Sequence, residues 1–188
     1  MAQGLFFDID ASEIEKLVEG FELSKDQLRA AYTRALQRTA QRMRTAASRG
    51  LRARMGLRNA SRLRSRLKVR RFRGGGQGKD ATEIELWAGL NDFLMSDFKG
   101  APRAVADGVE FRGKKYDGAF FASLGGKRQV VRRSNLQRLP IEVLTVPVAD
   151  EMQVFLEDEI FEMAADVFWD EFVRDVRARA LFGVGQAK

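Results

Sequence analysis

The chain is poor in the side chains that most often carry out chemistry. Its 188 residues include no His and no Cys. Without His, the protein lacks the usual general acid or base near neutral pH and the commonest metal ligand. Without Cys, it lacks thiolate chemistry and disulfide bonds. No Ser can be paired with a His base, so the usual catalytic triad is excluded. We therefore expect a protein that is not an enzyme.

Paired carboxylates are the remaining candidates for metal chemistry. Asp158 and Glu162 are four residues apart, as are Asp166 and Asp170, and this spacing puts both members of a pair on one side of a helix. Hard cations accept such oxygen ligands. The chain offers no His and no further acidic motif to complete a site, so solvated or inter-subunit charge is the better interpretation. We expect neither a metal nor another cofactor.

A glycine-rich segment with the sequence RGGGQGK begins at Arg73 and ends at Lys79. A Walker A phosphate-binding loop needs a Gly at its first position and Ser or Thr directly after the Gly-Lys pair. Here Arg73 and Asp80 occupy those two positions. The sequence therefore predicts a mobile hairpin tip over residues 74–79 rather than a nucleotide site.

The most informative feature is a block of positive charge. Residues 27–79 contain no Asp or Glu and seventeen Arg or Lys, whereas residues 1–26 and 150–175 are acidic and the whole chain has a formal charge of +7. The basic side chains could contact phosphate groups with strong salt dependence, or they could pair with the acidic segments. Pairing is favoured for residues 29–54. Exposure to DNA or to another protein is favoured for a second set, which comprises Arg62, Arg64, Arg66, Lys68, Arg70, Arg71, Arg73 and Lys79.

A long basic helix must position the first part of this block. Ser24 is a suitable N-cap, and the helical period runs to about Met55, with Gly56 as the stop and Gly50 as a candidate kink. Arginines at positions 34, 38 and 42 form a ladder on one face. Like charges at this spacing repel by about 0.2–0.5 kcal/mol per pair. The helix therefore needs an anionic partner.

The middle of the chain is predicted to be an antiparallel sheet. Residues 67–73 and 82–88 have the composition of paired strands that form a hairpin. Residues 91–100 are predicted to form a loop or a single helical turn. Further short strands are expected at 103–105, 109–111, 119–124, 129–133 and 142–146. Strong twisting or partial closure into a barrel would protect the edges of this sheet. The fold class is therefore α+β, with the sheet flanked by the basic helix and a final acidic and aromatic helix.

The final helix is predicted from residues 149–150 to Leu181, and it is apolar over most of its circumference. Such a helix is buried from more than one side. In a small domain, this pattern favours a contact with a neighbouring subunit. The residues expected at that interface are Arg34, Arg38, Arg42, Phe155, Phe161, Phe168, Trp169 and Phe172.

The chain is expected to form one domain with short additions at both ends. Residues 1–23 are predicted to be an arm that contains an edge strand at 5–9 and a short acidic helix at 13–20, and residues 24–182 are the α+β domain. Residues 183–188 are expected to fray. No apolar run approaches the roughly 18 residues of a membrane span, and residues 1–12 show no basic region followed by a long apolar stretch, as a secretory signal would. We expect no membrane contact.

Three consecutive segments in the second half carry a resemblance. They are YDGAFFASLGGK at 116–127, VVRR at 130–133 and LPIEVLTVPVA at 139–149. This order of a Gly-Ala-Phe strand, a glycine turn, a strand ending in Arg and a Leu-Pro-Ile segment before a final helix resembles the minor tail protein Z family of tailed bacteriophages. The Arg-rich helix and the two hairpin strands stand upstream in the order that family shows. The resemblance covers about residues 25–155.

This resemblance implies a tail completion protein at the head-proximal end of a long non-contractile tail, needed for head-tail joining and for DNA to enter the tail. It implies a structural virion protein, assembled in the host cytoplasm, without enzymatic activity. Expected partners are tail-terminator, tail-tube or head-tail connector proteins, with non-specific contact to genomic DNA. The acidic N-terminal helix and the aromatic C-terminal helix depart from the family pattern, which leaves the neck layer and the neighbouring proteins open.

The charge blocks fit this role, because opposite charges on one molecule favour a heterologous interface that closes into a homo-oligomeric ring. A second hypothesis is a nucleic-acid-binding protein that acts by charge neutralisation without sequence preference. The two hypotheses differ in the expected salt dependence of DNA binding and in the oligomeric state.

Overall fold

The computed structural model describes residues 2–3, 21, 23–73, 81–135 and 139–182. The predicted strand at 5–9, the predicted helix at 13–20, the hairpin tip at 74–79 and the tail at 183–188 lie outside the described residues. The described part has a mixed α+β fold in which helices flank several antiparallel sheets. The predicted fold class is therefore confirmed.

Helix α1 (Lys25–Arg54) is the longest described element and follows the prediction closely. Ser24 is its N-cap, and its hydroxyl accepts a hydrogen bond from the Gln27 backbone N–H while the Gln27 side chain accepts one from the Ser24 N–H. This reciprocal pair is a capping box. At the other end, Arg112 Nη1 donates to the Met55 carbonyl at 3.0 Å, where a cation favours the helix dipole. Both ends of α1 are thus fixed by side chains.

Gly50 does not kink α1; instead it makes room for an aromatic ring. The helix continues without interruption through this position. A Cβ atom placed on Gly50 would lie 2.2 Å from the Phe155 Cζ atom, so only a residue without a side chain allows this contact. Phe155 packs there and is almost fully buried.

The predicted hairpin is present. Strand β1 (Ala2–Gln3) lies at the far edge, helix α2 (Ser61–Arg64) follows α1, and β2 (Leu67–Arg73) pairs antiparallel with β3 (Ala81–Gly89). The order in this sheet is β1-β3-β2. Arg44 Nε on α1 donates to the Leu67 carbonyl at 2.9 Å, which links the hairpin to the long helix.

The remaining strands form separate small sheets rather than one large sheet. They are β4 (Phe93–Leu94), β5 (Arg103–Val105), β6 (Gly108–Phe111), β7 (Lys114–Asp117), β8 (Ala119–Leu124), β9 (Lys127–Arg133), β10 (Ile141–Val143) and β11 (Thr145–Val146). The described strands are ordered β5-β6-β7, β10-β9-β8 and β11-β4 in three further antiparallel sheets. They do not close into a barrel, so the partial barrel that the sequence left open as an alternative is not found. The strands are short and tight turns separate them, with positive φ at Gly113, Gly118, Gly125 and Gly126.

The final helix is interrupted, which the sequence pattern did not predict. It consists of α3 (Ala149–Phe155), a π-helical turn (Leu156–Phe161) and α4 (Ala164–Phe182). A π turn widens the helix locally and changes its phase. Phe155 and Ile160 before and within the turn face the main core, whereas Phe168 in α4 faces a second core.

Two hydrophobic clusters hold the described elements together, and α1 contributes to both. The main cluster packs Leu51 and Met55 against Phe93, Phe98 and residues of the sheets. The second cluster lies nearer the start of α1, where the small side chains of residues 31 and 35 let the α4 aromatics approach. Each such fully buried large side chain contributes about 1.5–3 kcal/mol. The long helix therefore fixes the position of α4 relative to the sheets.

Among the described helices, none carries an apolar stretch of the length that crossing a bilayer requires.

Candidate functional site

The arginine ladder of α1 is paired inside the chain. Arg42 Nη1 lies 2.9 Å from Glu171 Oε1, and Arg38 Nη1 lies 3.4 Å from Glu171 Oε2. Arg34 Nη1 lies 3.5 Å from Asp175 Oδ1. Both carboxylates belong to α4 and are only 4% exposed. The anionic partner that the ladder requires is therefore the final helix of the same subunit.

Two arginines of α4 complete this network. Arg179 Nε lies 2.7 Å from Asp175 Oδ2, and both side chains are buried. Arg174 Nη1 lies 3.2 Å from Glu171 Oε1, and Arg174 is exposed. Five guanidinium groups thus surround two carboxylates. A buried charge is tolerated only when it is paired and hydrogen-bonded, so the network locks the register between α1 and α4.

The aromatic residues predicted at a subunit interface lie mostly inside the chain. Phe168 and Phe172 are 0% exposed and stack with ring centroids 5.7 Å apart. Phe155 is buried against Gly50. Only Phe161 and Trp169 of the five predicted aromatics are partly exposed. Much of the apolar circumference of the final helix is thus covered by α1 and the sheets, because the π turn directs successive parts of it to two different cores, whereas Val154, Met163, Leu181 and Phe182 are exposed. This placement corrects the expectation that a second subunit covers Phe155, Phe168 and Phe172.

Two of the basic residues predicted to contact DNA or a partner also make contacts within the fold. Arg62 Nε lies 2.9 Å from Asp97 Oδ1. Arg66 donates to the backbone carbonyls of Asn91 and Asp92 and stacks 3.8 Å from the centre of the Phe93 ring. Desolvation by burial lowers the pKa of Arg66, but its guanidinium remains charged. Arg66 therefore links residues 91–92, which follow β3, to the start of β2.

Three other predicted contact residues are exposed. Lys68 and Arg70 lie beside Trp87 on β3, with the Lys68 Nζ atom 5.5 Å and the Arg70 guanidinium 5.2 Å from its ring. Arg70 Nη1 is 3.6 Å from Glu85 Oε2, which is a loose pair at the surface. Arg64 is exposed on α2 and has no ion pair within the described residues. These cations are available to another molecule.

The predicted set has two further members on β2. In the strand register, Arg71 lies opposite Ile84 and Arg73 lies opposite Ala81. Lys79 lies outside the described residues.

A further basic groove was not singled out from the sequence. Arg49 and Arg52 on α1 and Lys99 in the loop after the 3₁₀ turn Met95–Asp97 line it, together with Thr45, Ser48, Ala53 and Ala60. All three cations are exposed, and no Asp or Glu of the described chain belongs to its lining. Eighteen residues separate Arg34 from Arg52, which is about five helical turns. Arg52 therefore lies on the same face of α1 as Arg34. This spacing is the sequence signal that could have identified Arg52.

The outer side of the final helical segments is acidic. We call the exposed carboxylates along it the acidic surface: Asp150, Glu151, Glu157, Asp158, Glu159, Glu162, Asp166 and Asp170. Within the described part of the chain, Glu159 alone of these forms an ion pair, at 2.7 Å from Arg54 Nη1. No group of three or more acidic side chains in that part is arranged to hold a metal ion. The two carboxylate pairs, Asp158 with Glu162 and Asp166 with Asp170, are exposed at the surface.

The arrangement as a whole offers charged surfaces for binding. The α1–α4 network pairs charges within one chain, whereas the acidic surface and the cations at residues 49, 52, 64, 68 and 99 are exposed and have few ion pairs among the described residues. No family model, curated protein or solved structure matches this chain.

Proposed function

We propose that this protein is a structural component of a phage virion, a tail completion protein that forms an oligomeric ring at the head-proximal end of the tail. In this role it supports head-tail joining and the passage of DNA. It is assembled in the host cytoplasm, and its neighbours are tail-terminator, tail-tube or head-tail connector proteins.

The observation that carries this proposal is the separation of exposed charge on one small domain. The arginine ladder is already matched by Glu171 and Asp175, so it does not use up the acidic surface. Within the described residues, the acidic surface is left largely unpaired along the final helical segments, where Arg174 and Arg177 are the exposed cations, while most exposed cations lie on α1, α2, β2 and the later strands. Two unlike surfaces on one subunit favour a heterologous contact, which closes into a ring when the rotation between copies is suitable.

The local structure of the resembling segments supports the same role. Strands β8 and β9 flank the turn at Gly125 and Gly126, and β10 and β11 follow before the chain enters α3. This is the order of strand, glycine turn, strand and final helix on which the likeness to the minor tail protein Z family rests. The helix, the hairpin and the later strands stand in that order within a single chain.

A second candidate is a nucleic-acid-binding protein without sequence preference. The observation that favours it is the exposure of Arg64, Lys68 and Arg70, of which only Arg70 is near a carboxylate within the described residues. Such a protein would bind duplex DNA with an affinity that falls steeply with salt. It would do so as a monomer, which distinguishes it from a ring component.

Native mass spectrometry of the purified protein tests the proposal. We expect ring-sized oligomers at low salt that dissociate when salt screens the charges. The variant Asp166→Lys with Asp170→Lys should remain monomeric. The control, Glu110→Lys with Glu142→Lys, makes the same charge change on exposed strand residues and should still assemble. A wild-type protein that stays monomeric while it binds DNA tightly supports the second candidate instead.

A further inference from the structure

The basic groove between α1 and the loop at Lys99 differs from the other charged regions because it is concave and lined by one sign of charge. Arg49, Arg52 and Lys99 contribute the charge, and Ala53 and Ala60 leave room between them. A hydroxyl at position 48 adds to the lining. The groove therefore offers several donors to an anion from two sides.

Backbone hydrogen bonds fix the two sides of the groove relative to each other. The Lys99 N–H donates to the Gly56 carbonyl at 2.7 Å, and the Arg58 N–H donates to the Asp97 carbonyl at 2.9 Å. Arg52 Nη2 donates to the Arg58 carbonyl at 3.3 Å. The loop is thus held against the end of α1, so the backbone positions that carry the cations are fixed before a ligand arrives.

Two carboxylates near the groove are paired with other arginines, whereas Asp170 lines a second groove that shares Thr45 and Arg49 with this one. Asp97 is bound by Arg62 at 2.9 Å, and Glu159 is bound by Arg54 at 2.7 Å. The side chains at positions 49 and 99 have no ion pair or side-chain hydrogen bond among the described residues. Within that part of the molecule, neither cation therefore has a carboxylate at ion-pair distance.

We propose that this groove binds a phosphate group. Guanidinium and ammonium groups bind phosphate through short, charge-assisted hydrogen bonds. The donors here come from a helix on one side and a loop on the other, which suits a tetrahedral group with oxygens in several directions better than a planar carboxylate. The group belongs either to a nucleic-acid backbone or to free phosphate. Phosphate binding in this groove does not depend on ring formation, because the site lies within one subunit.

The test compares two triple variants of the full chain that remove the same amount of charge. Arg49→Gln, Arg52→Gln and Lys99→Gln remove the groove cations; Arg103→Gln, Lys114→Gln and Lys127→Gln remove three exposed cations elsewhere. Binding of a short duplex DNA is measured by fluorescence anisotropy across a salt series. Binding of inorganic phosphate is measured by backbone amide NMR shifts.

If the group is a backbone phosphate, the groove variant should bind DNA at least about tenfold more weakly than the control. Its salt slope should fall by up to about 0.9 for each phosphate that the variant no longer neutralises. If the group is free phosphate, the wild-type amides near Arg49 and Lys99 should shift in phosphate and those of the groove variant should not. Equal weakening of DNA binding in both variants with no phosphate shift would overturn the proposal. Binding of polyglutamate to the groove as tightly as DNA would also overturn the proposal, because the site would then recognise negative charge alone.

A folding check keeps the test interpretable. Both triple variants should melt within a few degrees of the wild type, because all six side chains are exposed. If the groove variant unfolds, the single substitution Arg49→Gln replaces it, since that side chain makes no hydrogen bond within the described residues. If Arg49→Gln changes neither the DNA affinity nor the amide NMR shifts in phosphate, the proposal is contradicted.

Discussion

Asp175→Asn is expected to destabilise the fold more than Glu171→Gln, although each substitution removes one buried carboxylate charge from α4. Asp175 Oδ2 holds Arg179 Nε at 2.7 Å, and the side chains of both residues are only 5% exposed. Arg179 has no other ion pair among the described residues. Without the carboxylate, its guanidinium becomes an unpaired buried charge.

Glu171 has partners of a different kind. The side chains of Arg38, Arg42 and Arg174 are between 46% and 61% exposed, so they return to water when the carboxylate charge is removed. Breaking a buried pair costs about 3–5 kcal/mol, which we expect for Asp175→Asn. Removing hydrogen bonds to exposed arginines costs about 1–2 kcal/mol, which we expect for Glu171→Gln. The difference between the two variants is about 2 kcal/mol on these figures.

Urea unfolding followed by tryptophan fluorescence measures this difference, because Trp169 lies beside Phe168 and Phe172 in α4. The slope of the transition should stay constant while the midpoint moves. The double variant Asp175→Asn with Arg179→Met removes both buried charges and should recover most of the stability that Asp175→Asn removes. Equal destabilisation by the two single substitutions, or a double variant as unstable as Asp175→Asn, would refute the reasoning.

Three further substitutions test other parts of the structure. Phe172→Ala should lower the free energy of unfolding by about 3–5 kcal/mol in urea, because the ring is fully buried within the subunit; a stable monomer that merely fails to assemble would contradict this. Gly50→Ala should lower the melting temperature despite a helix-propensity gain of about 1 kcal/mol, since the new Cβ would meet Phe155; unchanged or higher stability would argue against the contact. Asp166→Lys with Asp170→Lys should leave the melting temperature within a few degrees and lower the oligomer fraction, and a loss of folding would show that these exposed carboxylates are structural.

The local elements were predictable where the sequence carries a cap, a stop or an alternation. Ser24 and Gly56 bound α1 as expected, and the alternation at 82–88 identifies the second strand of the hairpin. Strand β7 was missed because the residues 114–117 include three charged side chains and no apolar alternation. The separation into small sheets depends on turn geometry that short strands do not specify.

The candidate sites were predictable only in part, because sequence does not show which element covers which face. The wide apolar surface of the final helix indicates burial on several sides, but it cannot distinguish coverage by α1 from coverage by a second subunit. The π turn decides this by directing Phe155 and Phe168 to different cores. Likewise, Arg42 has a carboxylate partner and Arg49 has none among the described residues, because α4 carries its buried carboxylates beside only the first part of the ladder.

Electron microscopy of phage particles that carry a labelled copy of this protein tests the central proposal most directly. If the proposed function is correct, the label should form a closed ring at the joint between head and tail. Label elsewhere on the particle, or particles that join heads to tails and deliver DNA without this protein, would contradict it.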